Sequence, residues 1–532
     1  MKKLLIVLTI LLAGATTAGA YNVSTEVQKK NILIEDFSGV RCGNCPDAAD
    51  ILHKMQRNHD NIYSITIHAG SYAEPLADNK DFRTDDGNTI RDHFAPDAYP
   101  KGMVNRSSIN GGYVKGRDTW VALSKMYEVK NSIVNLYATA EGDASTREVT
   151  IHVEGYYTGE PENATNYLCV AMLQDNMLSY QIDNYAYDGY GGVVENYNQM
   201  HVLRDYVSDV WGDPISAAKG SYFEKDYTYK VPASIKNLSC DLKNINFMIY
   251  VLGAEKTDVL KTVNVVPTFD GLTFPLAFKV EKPRIPVGEI YGFDFFEVNL
   301  YNQSNVNVTE MYFEVTVNGE TYECPWHGAL APRSNADVRI DMPADFKWAE
   351  SNSFSIKAKK ANGKDVASSS TLSGSFFAPK VVAGSEVTWV VNTDYYASDN
   401  AFTIRDKDGK VVEELGPFEE GYAKEYSGSL TLEDGTYCLE ATDKWGDGIS
   451  KPGTIGILDK EGKEVGVNRV FDLGERVFFT VDHSAGVNSI EADDNAPKEY
   501  FNLNGMRVDK NSLVPGLYII KQGSKATKNI VK

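Results

Sequence analysis

The residues best suited to chemistry are two cysteines three positions apart, in Cys42-Gly43-Asn44-Cys45. Such a pair is either a dithiol that closes into a disulfide and exchanges with others, or half of a zinc site. Zinc takes four ligands, yet no second cysteine pair exists, and His53, His59 and His68 lack the paired spacing of a zinc module. The dithiol reading has positive support. Pro46, with Ala48, Ala49, Leu52 and Met55 at helical spacing, predicts a helix that starts just behind Cys42. Backbone N–H groups and the dipole at a helix start stabilise a thiolate, and Arg41 adds a positive charge. Cys42 is therefore expected to be the more exposed and more acidic thiol, with Cys45 shielded. In an exchange reaction Cys42 would attack a substrate disulfide and Cys45 would resolve the mixed disulfide.

Several elements must hold that pair. Residues 31–37 form a short apolar run before Ser38 and Gly39, which predicts a buried strand, and residues 62–69 predict a second. After a polar excursion, Tyr99-Pro100 leads into a strand at 103–106, and 118–130 predicts a helix with Asp118 as its N-cap. Strand, helix, strand and a later strand–helix make an α/β unit over residues 21–130. Beyond it, runs at 133–140, 148–157, 167–173, 222–231 and 247–252 alternate, separated by Gly, Asn and Pro, and predict a β-sandwich over 131–267. Within it, Val202, Leu203, Tyr206 and Val207 predict a helix at 200–209. Further sandwiches are expected at 268–379 and 380–482, then a polar linker at 483–499 and a small β-module at 500–532. The fold class is multidomain α/β plus all-β.

The ends and the composition set the compartment. Lys2 and Lys3, an apolar run from 4 to 12 and the exit Ala18-Gly19-Ala20 read as a secretory signal over residues 1–20. That run is too short to span a bilayer, and no other stretch approaches the required length. A net charge of -20 argues against nucleic acid, because phosphate binding needs a basic patch. The remaining cysteines, Cys169, Cys240, Cys324 and Cys438, are too sparse for a disulfide scaffold. Cys169 and Cys240 are either a pair or two buried thiols, and a Cys324–Cys438 bridge is not expected.

The segment around the dithiol resembles the thioredoxin superfamily. Asp36 lies six residues before Cys42, where that superfamily carries a buried carboxylate, followed by Phe37; Pro100 lies where it places a cis-proline facing the dithiol. The resemblance implies that Asp36 accepts or relays a proton and that Pro100 shapes the substrate groove. Arg41 replaces the usual Trp, and Gly43-Asn44 the usual Gly-Pro. More of the chain, through Ile34-Glu35-Asp36-Phe37-Ser38-Gly39, Tyr99-Pro100-Lys101-Gly102-Met103-Val104-Asn105-Arg106 and His201-Val202-Leu203-Arg204, resembles the twenty-eight-kilodalton outer-membrane-protein family of Gram-negative anaerobes. That resemblance implies a thioredoxin-like domain followed by a sandwich and an outer-membrane, cell-surface or extracellular location. The end of the chain, with Tyr500-Phe501-Asn502-Leu503-Asn504-Gly505-Met506-Arg507-Val508 and Pro515-Gly516-Leu517-Tyr518, is similar to type nine secretion sorting domains, which implies outer-membrane secretion machinery as a partner. With these resemblances the architecture reads as a thioredoxin-like domain, three Ig-like or jelly-roll-type sandwiches and a sorting domain.

Two loops offer weaker chemistry. Asp443 and Asp447, in Asp443-Lys444-Trp445-Gly446-Asp447-Gly448, would suit calcium, but the EF-hand spacing is incomplete and a turn with Trp445 packed inward is the simpler reading. Residues 185–192, rich in Tyr and Gly, are either a ligand-binding loop or an ordinary long connection. No other cofactor is implied. The sequence thus leaves two functions open: a thiol–disulfide oxidoreductase acting on protein thiols through Cys42, Cys45, Asp36 and Pro100, or a non-catalytic surface binding protein or adhesin.

Overall fold

The computed structural model describes residues 21–421, 423–446, 448–449, 453–468, 471, 473–484, 497–502, 506–522 and 525–531. The expected signal at 1–20, most of the expected linker, Asp447, and Asn504 with Gly505 lie outside the described residues. The chain divides into two compact units, Met1–Pro275 and Leu276–Lys532.

In the first unit the elements run β1 (Ile32–Ser38), α1 (Cys45–Asn58), β2 (Ile62–His68), α2 (Asp85–Phe94), β3 (Lys101–Val104), β4 (Val114–Gly116) and α3 (Trp120–Glu128). β1 lies parallel to β2 and antiparallel to β3, and β3 is antiparallel to β4. The order β2-β1-β3-β4 makes β1 an interior strand, and all seven of its residues are buried, Glu35 and Asp36 included. Successive side chains of a strand point to opposite faces, so these two carboxylates serve different neighbours. α1 buries Cys45, Ala48, Leu52 and Met55, the stripe the spacing predicts. A 3₁₀ turn over Arg117–Thr119 takes up the residues expected to open α3, so its N-cap is Thr119 rather than Asp118.

The chain continues through β5 (Val134–Asp143), β6 (Glu148–Tyr157), β7 (Thr165–Gln174), β8 (Met177–Asp183), β9 (Gly192–Gln199) and β10 (Val202–Tyr206). β10 corrects the helix expected at 200–209. It inserts between β2 and β7 in a nine-stranded sheet, where its two edges are paired and Val202, Leu203 and Tyr206 are buried. Pairing on both edges outweighs a helical spacing carried by only four apolar residues. The sheet extends beyond β7 through Ile245–Leu252 and Val259–Val265. β7 is apolar on both faces because both are covered. Leu168, Val170 and Met172 join the core beneath the four-stranded sheet of β5 and β6, and Cys169, Ala171 and Leu173 join the core shared with β1 and β2. Cys169 and Cys240 therefore belong to different clusters, and both are free, buried thiols.

The second unit is entirely strands, short 3₁₀ turns and loops among the described residues. A four-stranded sheet centred on Phe295–Asn302 and a five-stranded sheet centred on Val308–Val317 and Ser351–Ala361 enclose an aromatic core with Tyr291, Phe293, Phe296 and Phe376. A second pair of sheets, built on Gly435–Asp443 and Glu386–Asn392, encloses Val391, Ile404, Leu439, Ile457 and Phe479. Cys324 and Cys438 both reach the first of these cores and remain unbridged. The described part of the C-terminal module is a four-stranded antiparallel sheet that includes Lys498–Phe501 and Gly516–Gln522.

Candidate functional site

Cys42 and Cys45 are joined by a disulfide at the start of α1, with Cα atoms 5.4 Å apart. Cys45 is the first helical residue, and its N–H donates to the Cys42 carbonyl at 3.2 Å. The expected asymmetry of exposure is absent: each cysteine is 2 % exposed. The cover comes from far along the chain. β8 and β9 form a hairpin that lies on the 39–44 loop, with Ile182 N–H donating to Val40 O at 2.9 Å and Asn184 N–H to Gly43 O at 2.8 Å. The buried Gln181 side chain donates to the carbonyls of Gly39 and Cys42 at 3.2 and 3.1 Å. It is held in turn by Gln199, which donates to Gln181 Oε1 at 2.9 Å. Residues 185–192, read above as a ligand loop or a connection, contain the tip of this hairpin, with Tyr185, Tyr187 and Tyr190 exposed.

Arg41 does not face the dithiol as expected, because its guanidinium donates to the carbonyls of Glu74 and Pro75. Gly39 and Gly43 are dictated by close approach. A Cβ at Gly39 would lie 2.3 Å from the Tyr72 carbonyl oxygen, and one at Gly43 would lie 2.3 Å from the Asn184 side chain.

Asp36 sits behind the disulfide. It is 2 % exposed, its Oδ1 has no hydrogen-bond partner, and it shares with Cys45 the wall of a cavity of about 410 Å³ between α1, β2 and the hairpin. Burial pushes its carboxyl up to about 7, with the Arg117 charge pulling the other way. Pro100 follows a cis peptide bond and precedes Lys101, which pairs with Phe37, so the register puts it at the end of β1 from which the dithiol loop springs. The structure thus gathers Asp36 and Cys45 on one cavity and sets Pro100 at the same end of the sheet.

Several site residues escaped sequence reasoning, namely Gln181, Tyr197 and Gln199, and His201 entered only within a family motif, with no site role. Their signal was available, since β8 buries Ser179 and Gln181 at alternate positions, but an inward polar face is invisible to a search for apolar alternation. Of the histidines weighed for zinc, His53 lines the cavity, while His68 is buried in β2 and burial holds its imidazole down to about 4. Among the described residues no three His, Cys, Asp or Glu side chains are placed to hold a metal ion. Asp443 belongs to the second unit and is buried; its Oδ1 accepts the Trp445 N–H at 2.8 Å, and Trp445 packs inward.

The protein is therefore a β-rich chain of several sandwich-like sheet pairs in which the first unit, with α/β elements, carries a covered disulfide beside a polar cavity. Residues 87–269 match the family model described as outer membrane protein Omp28, a span that begins after the disulfide loop. This match supports the resemblance to that outer-membrane-protein family and marks a surface-associated protein of the outer membrane or cell surface. Among solved structures, HBP35 of Porphyromonas gingivalis is similar at 14 % identity and TM-score 0.33, covering 66 % of this chain and 99 % of that one. A domain of the outer membrane lipoprotein Omp28 of Porphyromonas gingivalis is similar at 18 % identity and TM-score 0.18, covering 26 % and 91 %. The Bacteroides ovatus mixed-linkage glucan utilization protein SGBP-B, in complex with a mixed-linkage heptasaccharide, is similar at 11 % identity and TM-score 0.14, covering 74 % and 86 %. No curated protein matches the sequence. No helix among the described residues is long and apolar enough to cross a membrane.

Proposed function

We propose that this is a surface binding protein whose first unit uses a thioredoxin-like arrangement as a scaffold, with Cys42–Cys45 as a structural disulfide. The order β2-β1-β3-β4 with α1 leaving the disulfide supports the thioredoxin-like part. The observation that carries the non-catalytic part is the cover: both sulfur-bearing residues are 2 % exposed beneath backbone and Gln181 hydrogen bonds from the hairpin. An attacking thiolate must reach a disulfide sulfur, so a covered pair exchanges only when its cover lifts. The β-sheet that pairs Lys498–Phe501 with Gly516–Gln522 is the sorting module in this reading, supported by the resemblance of its Tyr500-Phe501-Asn502 and Pro515-Gly516-Leu517-Tyr518 segments to such modules.

One observation favours thiol–disulfide exchange as a second reading. Asp36, poised near neutrality, shares a cavity with Cys45 and is suited to take a proton from it. A single experiment separates the two. The folded full chain is equilibrated with a glutathione couple, quenched and alkylated with a mass-tagged reagent. The scaffold reading expects Cys42 and Cys45 to stay oxidised over hours until denaturant is added; exchange within minutes in the folded protein would replace it with the catalytic one. Deleting residues 500–532 is expected to leave the first unit and the sandwiches of the second folded and to change where the protein accumulates, as read by cell fractionation.

A further inference from the structure

We propose that the cavity behind the disulfide is a binding site for a small organic cation, an amine with a short aliphatic body, seated with its ammonium on Asp36. This assignment rests on the binding-protein reading and names the ligand class that reading leaves open.

The charge balance of the wall points to a cation. Asp36, Asp50 and Asp183 line the cavity together with His53 and His201, and no Lys or Arg does; the His201 imidazole is already met by Asp175, with Nδ1 3.1 Å from Oδ1. An acidic wall alone would be an ordinary solvated surface, but Asp36 differs from the other two. Asp50 pairs with Lys54 at 3.1 Å, and Asp183 accepts the Tyr185 N–H at 2.8 Å, whereas Asp36 is buried with Oδ1 unpartnered. A buried acceptor without a donor is costly, and an ammonium hydrogen satisfies it and its charge together. The rest of the wall suits the body of such a ligand, since Pro46, Leu52 and Met200 give apolar contact while Tyr197 and Gln199 offer polar edges. A volume of about 410 Å³ lies within the range of small-molecule sites. A metal ion fits less well, because no trio of ligating side chains converges among the described residues. An anion would meet three carboxylates.

The test is calorimetric titration of the oxidised full chain at pH 8 with 1,4-diaminobutane, and in parallel with 1,4-butanediol, which has the same body without the charge. Saturable binding of the diamine and none of the diol is expected. Asp36→Asn should weaken the diamine by about tenfold or more, the worth of a charge-assisted hydrogen bond. Ala49→Trp, on an exposed position of α1 at the cavity wall, should also weaken it and does not depend on the fold tolerating a core change. Absence of saturable diamine binding, equal binding of the diol, or diamine affinity unchanged in both variants would overturn the assignment. Because the disulfide stays closed throughout, a failed titration leaves the alkylation result intact, and reactive cysteines would not by themselves abolish diamine binding.

Discussion

Glu35 and Asp36 are consecutive carboxylates on one buried strand, and they meet opposite fates. Glu35 faces the core shared with β7 and Ile245–Leu252, where Arg106 donates to both its oxygens, Nε at 2.6 Å and Nη2 at 2.7 Å. Nη2 of Arg106 also donates to the Tyr250 hydroxyl at 3.1 Å, the Tyr250 and Tyr206 hydroxyls are 2.7 Å apart, and the guanidinium lies over the Phe94 and Trp211 rings. Asp36 faces α1 and the hairpin, with no counter-ion in contact and a cavity in front of it. A paired, hydrogen-bonded charge is a fastening, whereas an unpaired one held in a cavity is a group waiting for a partner. The two faces of one strand thus divide paired from unpaired polarity.

Removing the fastening should have the largest effect. Arg106→Leu leaves Glu35 charged and buried, which costs about 3–5 kcal/mol. Chemical denaturation followed by tryptophan fluorescence should show the transition of the first unit move accordingly. Replacing both partners, Glu35→Met with Arg106→Leu, should recover much of that loss, since a buried pair contributes less than its breakage suggests. Equal losses in the single and double variants would mean that Arg106 acts through its ring contacts instead.

Asp36→Asn tests the other face. Its folded carboxyl titrates at about 7 against an ordinary 3.8, so between those values the folded state binds the proton more tightly than the unfolded one. Stability therefore falls as pH rises from about 4 to about 7 and levels off above, a loss of up to about 4 kcal/mol from this group. The Asn variant should lose that slope and be more stable than the parent at pH 8. A parent whose stability does not decline across this range would show that Asp36 is solvated or paired.

The strand that makes this division was legible in the sequence; the cover over its end was not. The apolar run at 31–37, the helical spacing after Pro46 and the strand before His68 each carry their own hydrophobic period, and each formed close to where it was read. Asp36 and Pro100 were found only through the spacing they share with a known superfamily. The hairpin lies some 140 residues from the loop it covers and joins it through backbone groups and amide side chains, which no period encodes. Arg106 enters the sequence reading only within a family motif, and its pairing is hidden for the same reason, since its partners Glu35 and Tyr250 are 71 and 144 residues away. β10 reads as a helix in the sequence because a strand buried on both faces loses the alternation that distinguishes it from one.

Loosening the cover sharpens the contrast at lower cost. Gln181→Ala removes donors to the carbonyls of Gly39 and Cys42 and should destabilise by about 1–2 kcal/mol. Reduction of the Cys42–Cys45 disulfide by dithiothreitol under native conditions should quicken several-fold. If the rate does not change, the hairpin is not what protects the disulfide.

The smallest effect is expected at Gly43, and its value lies in comparison with Gly39. Both glycines admit no Cβ, but the obstacles differ in kind. At Gly39 the obstacle is the Tyr72 carbonyl, which is backbone and already accepts the Arg41 N–H at 2.8 Å, so neither partner can turn aside. At Gly43 it is the Asn184 side chain, which can rotate away and gives up only its exposed bond to Asn44 Oδ1 at 2.9 Å. Gly39→Ala should therefore cost about 3 kcal/mol, at the upper end for overpacking, and Gly43→Ala about 1 kcal/mol. The cheaper substitution should nonetheless open the disulfide more, because the displaced Asn184 anchors the hairpin at the point where it crosses Gly43, whereas Tyr72 lies outside the hairpin. Thermal midpoints together with native-state reduction rates for the two variants decide it: a Gly43→Ala disulfide reduced no faster than the parent's would locate the barrier in the 39–44 loop itself, and the cover over Cys42 would be packing without a gate.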